Sequence, residues 1–242
     1  MILKKFYVVG VSYKKAPLPV REDFSLSITS SKALLSHAKK IGITSLLVNS
    51  TCNRTELFGF TNDPKKFTKL LCLFSKGRSD VFNKLGYIIE GSNAIKHIFR
   101  VGSGLESQIL GDFEIIGQLK KSFYLSKKNK IVNGFIERMI NSVIQASKKV
   151  KTQTGLSSGA TSVSFAAVQY ILQNIKDVSN KNILLFGAGK IGKNTCENLI
   201  KHTKNDHIVL INRTKERAEQ IAGKFKVIVK KYSELNTEIR KS

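Results

Sequence analysis

The sequence has little cysteine, little proline and no tryptophan, and these shortages exclude several classes of protein. Its 242 residues include 3 cysteines and 3 prolines. The cysteine count is odd, and neither a CxxC pair nor a Cys/His spacing typical of zinc is present, so we expect no disulfide framework and no metal site. Disulfides are rare in reducing compartments, so a cytoplasm or an organelle matrix fits, and we expect a cytoplasmic protein.

Long apolar runs are missing as well. No stretch approaches the ~18 apolar residues that a membrane-spanning helix needs. Lysine interrupts the apolar N-terminal segment, and no small-residue cleavage site follows it. We therefore expect neither a secretory leader nor a membrane partner. With 41% apolar and 24% charged residues, the composition is that of a folded globular chain.

Acidic residues are scarce relative to basic ones. The chain has 17 Asp and Glu against 41 Lys and Arg, a formal net charge of +24. Divided after residue 155, the two parts carry +16 and +8, so the excess is not a basic tail. Two explanations stay open: a polyanionic partner such as a nucleic acid, or a compositional bias in which lysine outnumbers arginine 33 to 8.

The order of apolar patterns predicts two α/β domains. In the first part, strands are predicted at residues 6–12, 45–48, 56–60 and 87–89, a turn at 16–19, and helices at 30–41, 65–74 and through most of 92–154. A glycine- and serine-rich segment at residues 155–159 marks the predicted boundary. We therefore predict domains at residues 1–158 and 159–242.

The second part alternates strand and helix, which is typical of a parallel sheet. Strands are predicted at residues 182–186, 207–211 and 227–229, and helices at residues 162–174, 191–202 and 215–225. The fold class predicted is α/β, with an N-terminal α/β catalytic domain followed by a partial Rossmann-type NADP-binding domain. Only 13 residues follow Val229, so the cofactor domain is expected to be incomplete.

A GxGxxG motif follows the first strand of the second part and opens a helix, which is the context of a dinucleotide site. The first glycine permits a tight turn, the second lets a pyrophosphate approach the backbone, and the third lets helix and strand pack closely. The alternative is a glycine-rich turn without a ligand. The predicted cofactor residues of this loop are Gly187, Ala188, Gly189, Lys190, Ile191 and Gly192.

The residues after the next strand favour NADP over NAD. An acidic side chain there would hold the ribose hydroxyls of NAD, but the sequence reads Asn212-Arg213-Thr214. An arginine at this place suits a 2′-phosphate. All three residues are predicted to bind the cofactor, NADPH. The alternative is that Arg213 is an ordinary surface base in a basic protein.

Cys52 lies in a polar segment between two predicted strands, whereas Cys72 and Cys196 lie in apolar helical patterns typical of buried thiols. Arg54 stands two residues away, and a nearby cation favours a reactive thiolate. Cys52 is therefore the candidate nucleophile. Arg54 is a candidate for binding a substrate carboxylate, since a guanidinium pairs with it bidentately. The alternative for Arg54 is an internal salt bridge with Glu56.

Several motifs in one order resemble the glutamyl-tRNA reductase family. They are the opening GVSYKKAP (residues 10–17) with Arg21-Glu22, the cysteine segment STCNRTE (50–56), FRVGSGLES with LGD and IGQ (99–118), the segment 148–155, the glycine loop and Asn212-Arg213-Thr214. The resemblance covers essentially the whole chain.

The resemblance implies an NADPH-dependent oxidoreductase. Cys52 would attack the ester carbonyl of glutamyl-tRNA(Glu), release the tRNA and form a thioester. Reduction by a hydride from NADPH would give glutamate 1-semialdehyde, the first step of 5-aminolevulinate and tetrapyrrole (porphyrin) biosynthesis. His97 matches a catalytic histidine of the family, although taken alone it fits a structural histidine better.

The resemblance also implies a set of substrate-binding residues. Where the sequence departs from the family's Gly-Glu-Pro-Gln, it reads Gly-Asp-Phe-Glu, and Tyr13 replaces a usual histidine. These departures put substrate affinity or pose in question. The implied residues are Thr51, Cys52, Asn53, Arg54, Ser107, Asp112, Phe113, Glu114 and Gln118.

Family members continue through the rest of the cofactor domain and a helical dimerisation domain, neither of which follows here. Homodimerisation is therefore a family property that this sequence does not itself predict, and glutamate-1-semialdehyde aminomutase is a partner by resemblance only. Basic residues at 148, 149 and 151 are candidates for tRNA contacts or for a solvated helix face. Two other functions stay open: a non-catalytic protein that binds tRNA or NADP, and a shikimate-dehydrogenase-like oxidoreductase.

Overall fold

The computed structural model describes residues 5–112, 114–154, 156 and 163–242. The chain divides into two compact units, Met1–Gly159 and Ala160–Ser242. Within the described residues, no helix is both long and apolar enough to cross a membrane.

The first unit is an antiparallel sheet covered by helices on both faces. Its strands lie in the order β2-β3-β1-β4. The elements are β1 (Phe6–Ser12), α1 (Leu18–Asp23), α2 (Ile28–Lys40), β2 (Leu46–Ser50), β3 (Arg54–Phe60), α3 (Lys65–Phe74), α4 (Ser79–Leu85), β4 (Tyr87–Glu90), α5 (Gly91–Gly102), α6 (Glu114–Lys128) and α7 (Gly134–Gln153).

Alternation along the strands divides the core of this unit in two. Val9, Val11 and Leu57 point to a cluster shared with α2, α3 and α4. Val8 and Phe58 point to the opposite cluster, shared with α5, α6 and α7. Because successive side chains of a strand point to opposite faces, a sheet buried on both faces has apolar residues at consecutive positions. This accounts for the run of apolar residues in β1 that precedes Ser12.

Two parts of the first unit differ from the sequence-based prediction. The prediction of a simple turn at residues 16–19 was wrong, because α1 begins at Leu18 with Pro17 as its N-cap and Pro19 in its first turn. Proline is accepted there, since the first N–H groups of a helix have no intrahelical partner. Helix α4, which buries Phe82, was not predicted.

The second unit is a parallel α/β layer with strand order β5-β6-β7. Its elements are α8 (Val163–Asn174), β5 (Ile183–Phe186), α9 (Lys190–Thr203), β6 (Ile208–Ile211), α10 (Lys215–Ala222), β7 (Ile228–Lys230) and α11 (Leu235–Ile239). The strand–helix–strand order matches the Rossmann-type pattern. The predicted fold class, an α/β N-terminal domain followed by a partial Rossmann-type unit, is confirmed.

Candidate functional site

Cys52 lies at the tip of the hairpin that joins β2 to β3. The register pairs Ser50 with Thr55, and the Thr51 N–H donates to the Arg54 carbonyl oxygen at 2.8 Å, which leaves Cys52 and Asn53 at the centre of the turn. The Thr51 hydroxyl accepts hydrogen bonds from the Asn53 and Arg54 backbone N–H groups. Cys52 is exposed, unlike the half-buried Cys72 and the buried Cys196. The local sequence thus builds a tight turn that presents one thiol to solvent.

Two neighbours hold the backbone of this turn from outside the hairpin. The Tyr13 N–H donates to the Asn53 carbonyl oxygen at 2.9 Å. Arg21 of α1 donates through Nε to the Cys52 carbonyl oxygen at 3.1 Å and through Nη1 to the Ala16 carbonyl oxygen at 2.7 Å. Arg21 was part of the family resemblance but was not predicted as a site residue. It fixes the turn that carries the thiol.

A buried carboxylate lies on β3 immediately behind the turn. Glu56 has no exposed side-chain surface, and its Oε1 accepts hydrogen bonds from three groups. The Tyr87 hydroxyl and His97 Nε2 each lie 2.5 Å from this oxygen, and Arg54 Nη1 lies 3.2 Å away. Buried charges in proteins are normally paired in this way. The cluster joins β3, β4 and α5.

Gly10 makes room for this cluster. In the sheet, Gly10 of β1 lies between Glu56 of β3 and Tyr87 of β4. A Cβ atom at this position would meet the Glu56 side chain and the β3 backbone at distances that real contacts do not show. The glycine is therefore required by the close approach of the β3 backbone and the Glu56 side chain, which explains its place in a strand otherwise rich in valine and aromatic residues.

The environment controls the charge of Glu56 and Tyr87. Burial alone would raise the pKa of Glu56, but the Arg54 charge and the His97 and Tyr87 hydrogen bonds together hold it below its ordinary value. Burial and the Glu56 charge raise the pKa of Tyr87 well above its ordinary value. Glu56 is therefore an anion and Tyr87 a neutral donor at neutral pH.

His97 lies on α5, where the sequence pattern placed it. Its Nε2 contacts Glu56, and its ring stacks on Phe58 with centroids 6.4 Å apart and meets Tyr87 edge to face. A ring that packs against two aromatic side chains and is bonded at one nitrogen has a defined orientation. With Nε2 engaged by the carboxylate, Nδ1 is the nitrogen left to contact another group.

Arg54 takes the internal salt bridge that the sequence analysis left as its alternative. It is 1% exposed, donates to Glu56, and donates through Nη2 to the Glu106 carbonyl oxygen. Among the described residues, its Nε has no hydrogen-bond partner. The predicted contact between Arg54 and a substrate carboxylate stays a prediction, and these bonds are the ones that a substrate would share or displace.

Glu106 ties a loop to three other segments. Its carboxylate pairs with Lys14, which follows β1, and accepts a hydrogen bond from Arg100 Nε of α5 at 2.6 Å. Burial opposes ionisation of Glu106, but these two cations keep its pKa below the ordinary value. The loop that Glu106 anchors carries Ser107, one of the predicted substrate residues. Glu106 itself was not predicted, since its partners come from distant parts of the sequence.

The remaining predicted substrate residues lie on this loop and on α6. Ser107 and Gln118 are half-buried. Asp112 accepts a hydrogen bond through Oδ1 from the Glu114 N–H at the start of α6, a helix-capping contact that the sequence analysis did not predict. Phe113 lies outside the described residues.

In the second unit, the glycine loop has the geometry that its motif predicts. Gly187 adopts a positive φ of 111°, and its N–H donates to the Ile211 carbonyl oxygen at 2.8 Å. A Cβ atom at Gly192 would collide with the Gly187 carbonyl group, whereas Gly189 faces open space. The residues present therefore fit a dinucleotide: close packing at the third glycine and free backbone approach at the second.

The Asn212-Arg213-Thr214 segment supports the glycine loop. Asn212 Oδ1 accepts a hydrogen bond from the Ala188 N–H at 3.0 Å, and Asn212 Nδ2 donates to the Thr214 carbonyl oxygen. Arg213 is exposed at the end of β6. The asparagine thus joins the two loops at the strand ends, and the arginine is free of the protein interior.

A cationic groove extends from the glycine loop and the first turn of α9 along one side of α10 to the residues just after that helix. It encloses about 550 Å³. Anions favour helix N-termini, so this groove suits phosphate groups. The sequence analysis predicted Ala188, Gly189 and Lys190 but missed the three further cations. The groove is lined by Ala188, Gly189, Lys190, Lys193, Arg217, Gln220, Ile221 and Lys224.

The fold and the two sites define a class of protein: an α/β domain with an exposed cysteine hairpin, joined to a Rossmann-type nucleotide-binding unit. The sequence model described as "Glutamyl-tRNAGlu reductase, N-terminal domain" matches residues 9–154. The model described as "Shikimate / quinate 5-dehydrogenase" matches residues 169–242, so that alternative is supported in the second unit alone.

Individual relatives agree with the family match. The chain is 59% identical over 239 residues to a glutamyl-tRNA reductase of Christiangramia forsetii and 56% identical to one of Flavobacterium psychrophilum. A solved structure, glutamyl-tRNA reductase from Methanopyrus kandleri, is 25% identical with a TM-score of 0.64 over 99% of this chain. This chain spans 57% of the length of each of these three proteins. It belongs to the glutamyl-tRNA reductase family.

Proposed function

We propose that the chain reacts with glutamyl-tRNA(Glu) through Cys52 and reduces the resulting thioester with NADPH to glutamate 1-semialdehyde. The observation that carries the proposal is the exposed thiol of Cys52 on a hairpin whose second strand holds the buried Arg54 and Glu56, with His97 of α5 bonded to Glu56. Membership of the family supports the same reading, since the relatives are named for this substrate.

The first step transfers the glutamyl group to sulfur. The Cys52 thiolate forms a bond to the ester carbonyl carbon, the bond from that carbon to the ribose oxygen breaks, and the ribose oxygen takes a proton as the tRNA leaves. The Arg21 and Tyr13 contacts keep the turn in place while this happens. The product is a thioester, whose carbonyl carbon accepts a hydride more readily than that of an oxygen ester.

His97 is proposed to act on the carbonyl oxygen. Glu56 holds Nε2, so Nδ1 is the atom left for the oxygen; with a proton on both ring nitrogens, Nδ1–H would donate a hydrogen bond or that proton to the oxygen as charge develops there. Thr51, Asn53, Ser107, Asp112, Phe113, Glu114 and Gln118 are proposed to position the glutamyl group. Arg54 is proposed to attract its carboxylate through its charge.

The second step requires a hydride donor. When bound, NADPH would supply a hydride to the thioester carbonyl carbon, and cleavage of the carbon–sulfur bond would give the aldehyde and return the Cys52 thiolate. The residues that would hold it are Gly187–Gly192 through backbone N–H groups, and Arg213 through its charge. The cations of the groove between α9 and α10 would add to phosphate binding.

The test is product formation in a single turnover. The 242-residue chain is mixed with charged glutamyl-tRNA and NADPH, and semialdehyde is quantified for wild type, Cys52→Ser and Cys72→Ser. We expect aldehyde from wild type and from Cys72→Ser, whose thiol is half-buried on α3, and none from Cys52→Ser. Binding of charged tRNA without acylation would contradict the proposal and favour a binding-only protein.

A further inference from the structure

The loop between α5 and α6 closes on itself and carries one buried charge. The Gly111 N–H donates to the Gly104 carbonyl oxygen at 3.1 Å, which closes the neck of the loop. Within it, Leu105 and Leu110 are exposed, whereas Glu106 is only 6% exposed. Because a buried carboxylate costs free energy unless it is paired, the partners of Glu106 define how this loop, residues 104–111, is held to the rest of the unit.

One oxygen of the Glu106 carboxylate leads to the turn that carries the thiol. Its Oε2 forms an ion pair with Lys14 Nζ. The residue before this lysine, Tyr13, donates its N–H to the Asn53 carbonyl oxygen, and Asn53 follows Cys52 in the turn. The loop and the Cys52 turn are therefore both held to the same short segment of chain after β1.

The other oxygen and the backbone of Glu106 lead to two further groups of the site. Oε1 accepts a hydrogen bond from Arg100 Nε at 2.6 Å, and Arg100 lies three residues after His97, within one turn of α5. The Glu106 carbonyl oxygen accepts a hydrogen bond from Arg54 Nη2. A single residue thus contacts the segment that holds the thiol turn, the helix of His97, and Arg54 itself.

The charges indicate that Glu106 acts through these partners and not on a substrate. Burial would raise the pKa of Glu106, but hydrogen bonds from Lys14 and Arg100 keep it below its ordinary value, so the side chain is an anion at neutral pH. Both of its oxygens are engaged by cations of the protein, and a glutamyl carboxylate would be repelled by it. Lys14 and Arg100 are each about half exposed, and pairs of this kind hold a structure firmly only as a network.

We propose that Glu106 is a positioning residue that aligns the glutamyl-binding loop with the Cys52 thiol. The loop carries Ser107, and its backbone holds Arg54, so both proposed contacts of the glutamyl group depend on where Glu106 fixes the loop. The inference rests on the proposed function, because it concerns the alignment of that reaction. Misalignment acts on the rate of bond formation, since a displacement of ~1 Å can cost ~100-fold in rate.

The test separates alignment from folding and from the reactivity of the thiol. Wild type, Glu106→Gln and Glu106→Asp, each as the 242-residue chain, are mixed with increasing concentrations of glutamyl-tRNA. Mass spectrometry of the intact protein at successive times gives the maximal rate of Cys52 acylation and the half-saturating concentration. Alkylation by iodoacetamide gives the reactivity of the same thiol toward a reagent that needs no binding site.

We expect Glu106→Gln to lower the maximal acylation rate by ~10-fold to ~100-fold. The half-saturating concentration should change much less, because most of the affinity for a tRNA comes from its phosphates. The iodoacetamide rate should be unchanged. Glu106→Asp keeps the charge on a shorter side chain and should recover part of the acylation rate. Glu137→Gln, which removes a charge from the exposed Lys127–Glu137 pair, is the matched control and should keep all three wild-type values.

Variants of the two cations test the same loop without changing a buried group. Lys14→Ala and Arg100→Ala alter side chains that are about half exposed, so folding is retained. Each should lower the maximal acylation rate, by less than Glu106→Gln does. Added to Glu106→Gln, neither should lower the rate further, because partners in one network are not additive.

Three results would overturn the inference while leaving the proposed function standing. They are a wild-type maximal rate in Glu106→Gln, a change in the half-saturating concentration alone, and an equal loss of acylation and of iodoacetamide reactivity, which would make the role of Glu106 purely structural. If Glu106→Gln does not fold, wild-type rates in Lys14→Ala and Arg100→Ala overturn it. If wild-type protein is not acylated on Cys52, the proposed function fails, and the positioning role fails with it.

Discussion

The two units handle charge in opposite ways. Beside Cys52, Arg54 and Glu56 are 1% and 0% exposed and are held by each other and by His97 and Tyr87. Beside the glycine loop, Arg213 is exposed and the loop offers backbone N–H groups. Buried pairs are strong only when every partner is present, whereas exposed cations act weakly and are screened by salt. The first site is therefore preorganised and sensitive to single substitutions, whereas we expect the second site to tolerate single substitutions.

The largest expected effect comes from removing the buried carboxylate. Glu56→Ala leaves Arg54 charged and buried, and breaking such a pair typically costs ~3–5 kcal/mol of the free energy of unfolding. Denaturant unfolding of the 242-residue chain measures this. The matched control is Glu137→Ala, which breaks the exposed Lys127–Glu137 pair and should cost less than ~1 kcal/mol. Equal losses of unfolding free energy in the two variants would contradict the difference between the buried pair and the exposed pair.

The next effect separates packing from binding in the glycine loop. Gly192→Ala forces a Cβ against the Gly187 carbonyl group, and overpacking of this kind costs ~1–3 kcal/mol. Gly189→Ala faces open space and should leave the free energy of unfolding unchanged while weakening NADPH binding. Denaturation and nucleotide titration of both variants give the comparison. A loss of stability in Gly189→Ala would contradict the open space that surrounds Gly189 in the structure.

A smaller effect on the free energy of unfolding is expected when the pH is lowered. The pKa of Glu56 is lower in the folded protein than its ordinary value near 4.5, so the stability that its ionisation provides is complete above that value. This stability is lost as the pH falls through the folded-state pKa. Wild type should therefore lose stability below about pH 4.5 more steeply than Glu56→Gln. Glu137→Gln serves as the control and should keep the wild-type slope.

The smallest effect is expected for single cations of the groove in the second unit. Lys193→Ala and Lys224→Ala should each weaken NADPH binding a few fold, because one exposed charge contributes ~0.2–1 kcal/mol. The loss should shrink as salt is added. Lys226→Ala, an exposed lysine outside the groove lining, should leave the dissociation constant unchanged. A large, salt-independent loss would mean that these lysines are buried on binding.

Much of the fold follows from local sequence patterns. Helix α3 has the predicted bounds, residues 65–74, and the strand–helix alternation of the second unit is as predicted, because each element has its own periodicity. Helix α4 was missed because seven residues with one buried aromatic side chain give too short a pattern. Patterns within one element were therefore sufficient only where that element was long.

The candidate site was predictable only in part. Cys52 and the glycine loop are contiguous motifs, so the sequence pointed to them directly. The role of Glu56 was not visible, because its bond to His97 joins residues 41 positions apart and depends on which strand packs against α5. One signal was available: Arg54, Glu56 and Phe58 alternate along β3, so two charged residues share a face with a buried phenylalanine.

We propose that the hairpin of the first unit accepts the acyl group on Cys52 without bound nicotinamide nucleotide. The direct measurement is mass spectrometry of the intact chain after mixing with glutamyl-tRNA in the absence of nicotinamide nucleotide. We predict one glutamyl group, located on the Cys52 peptide and removed by a free thiol. A folded chain that carries no acyl group on Cys52, or acquires one only when NADPH is present, would contradict the account.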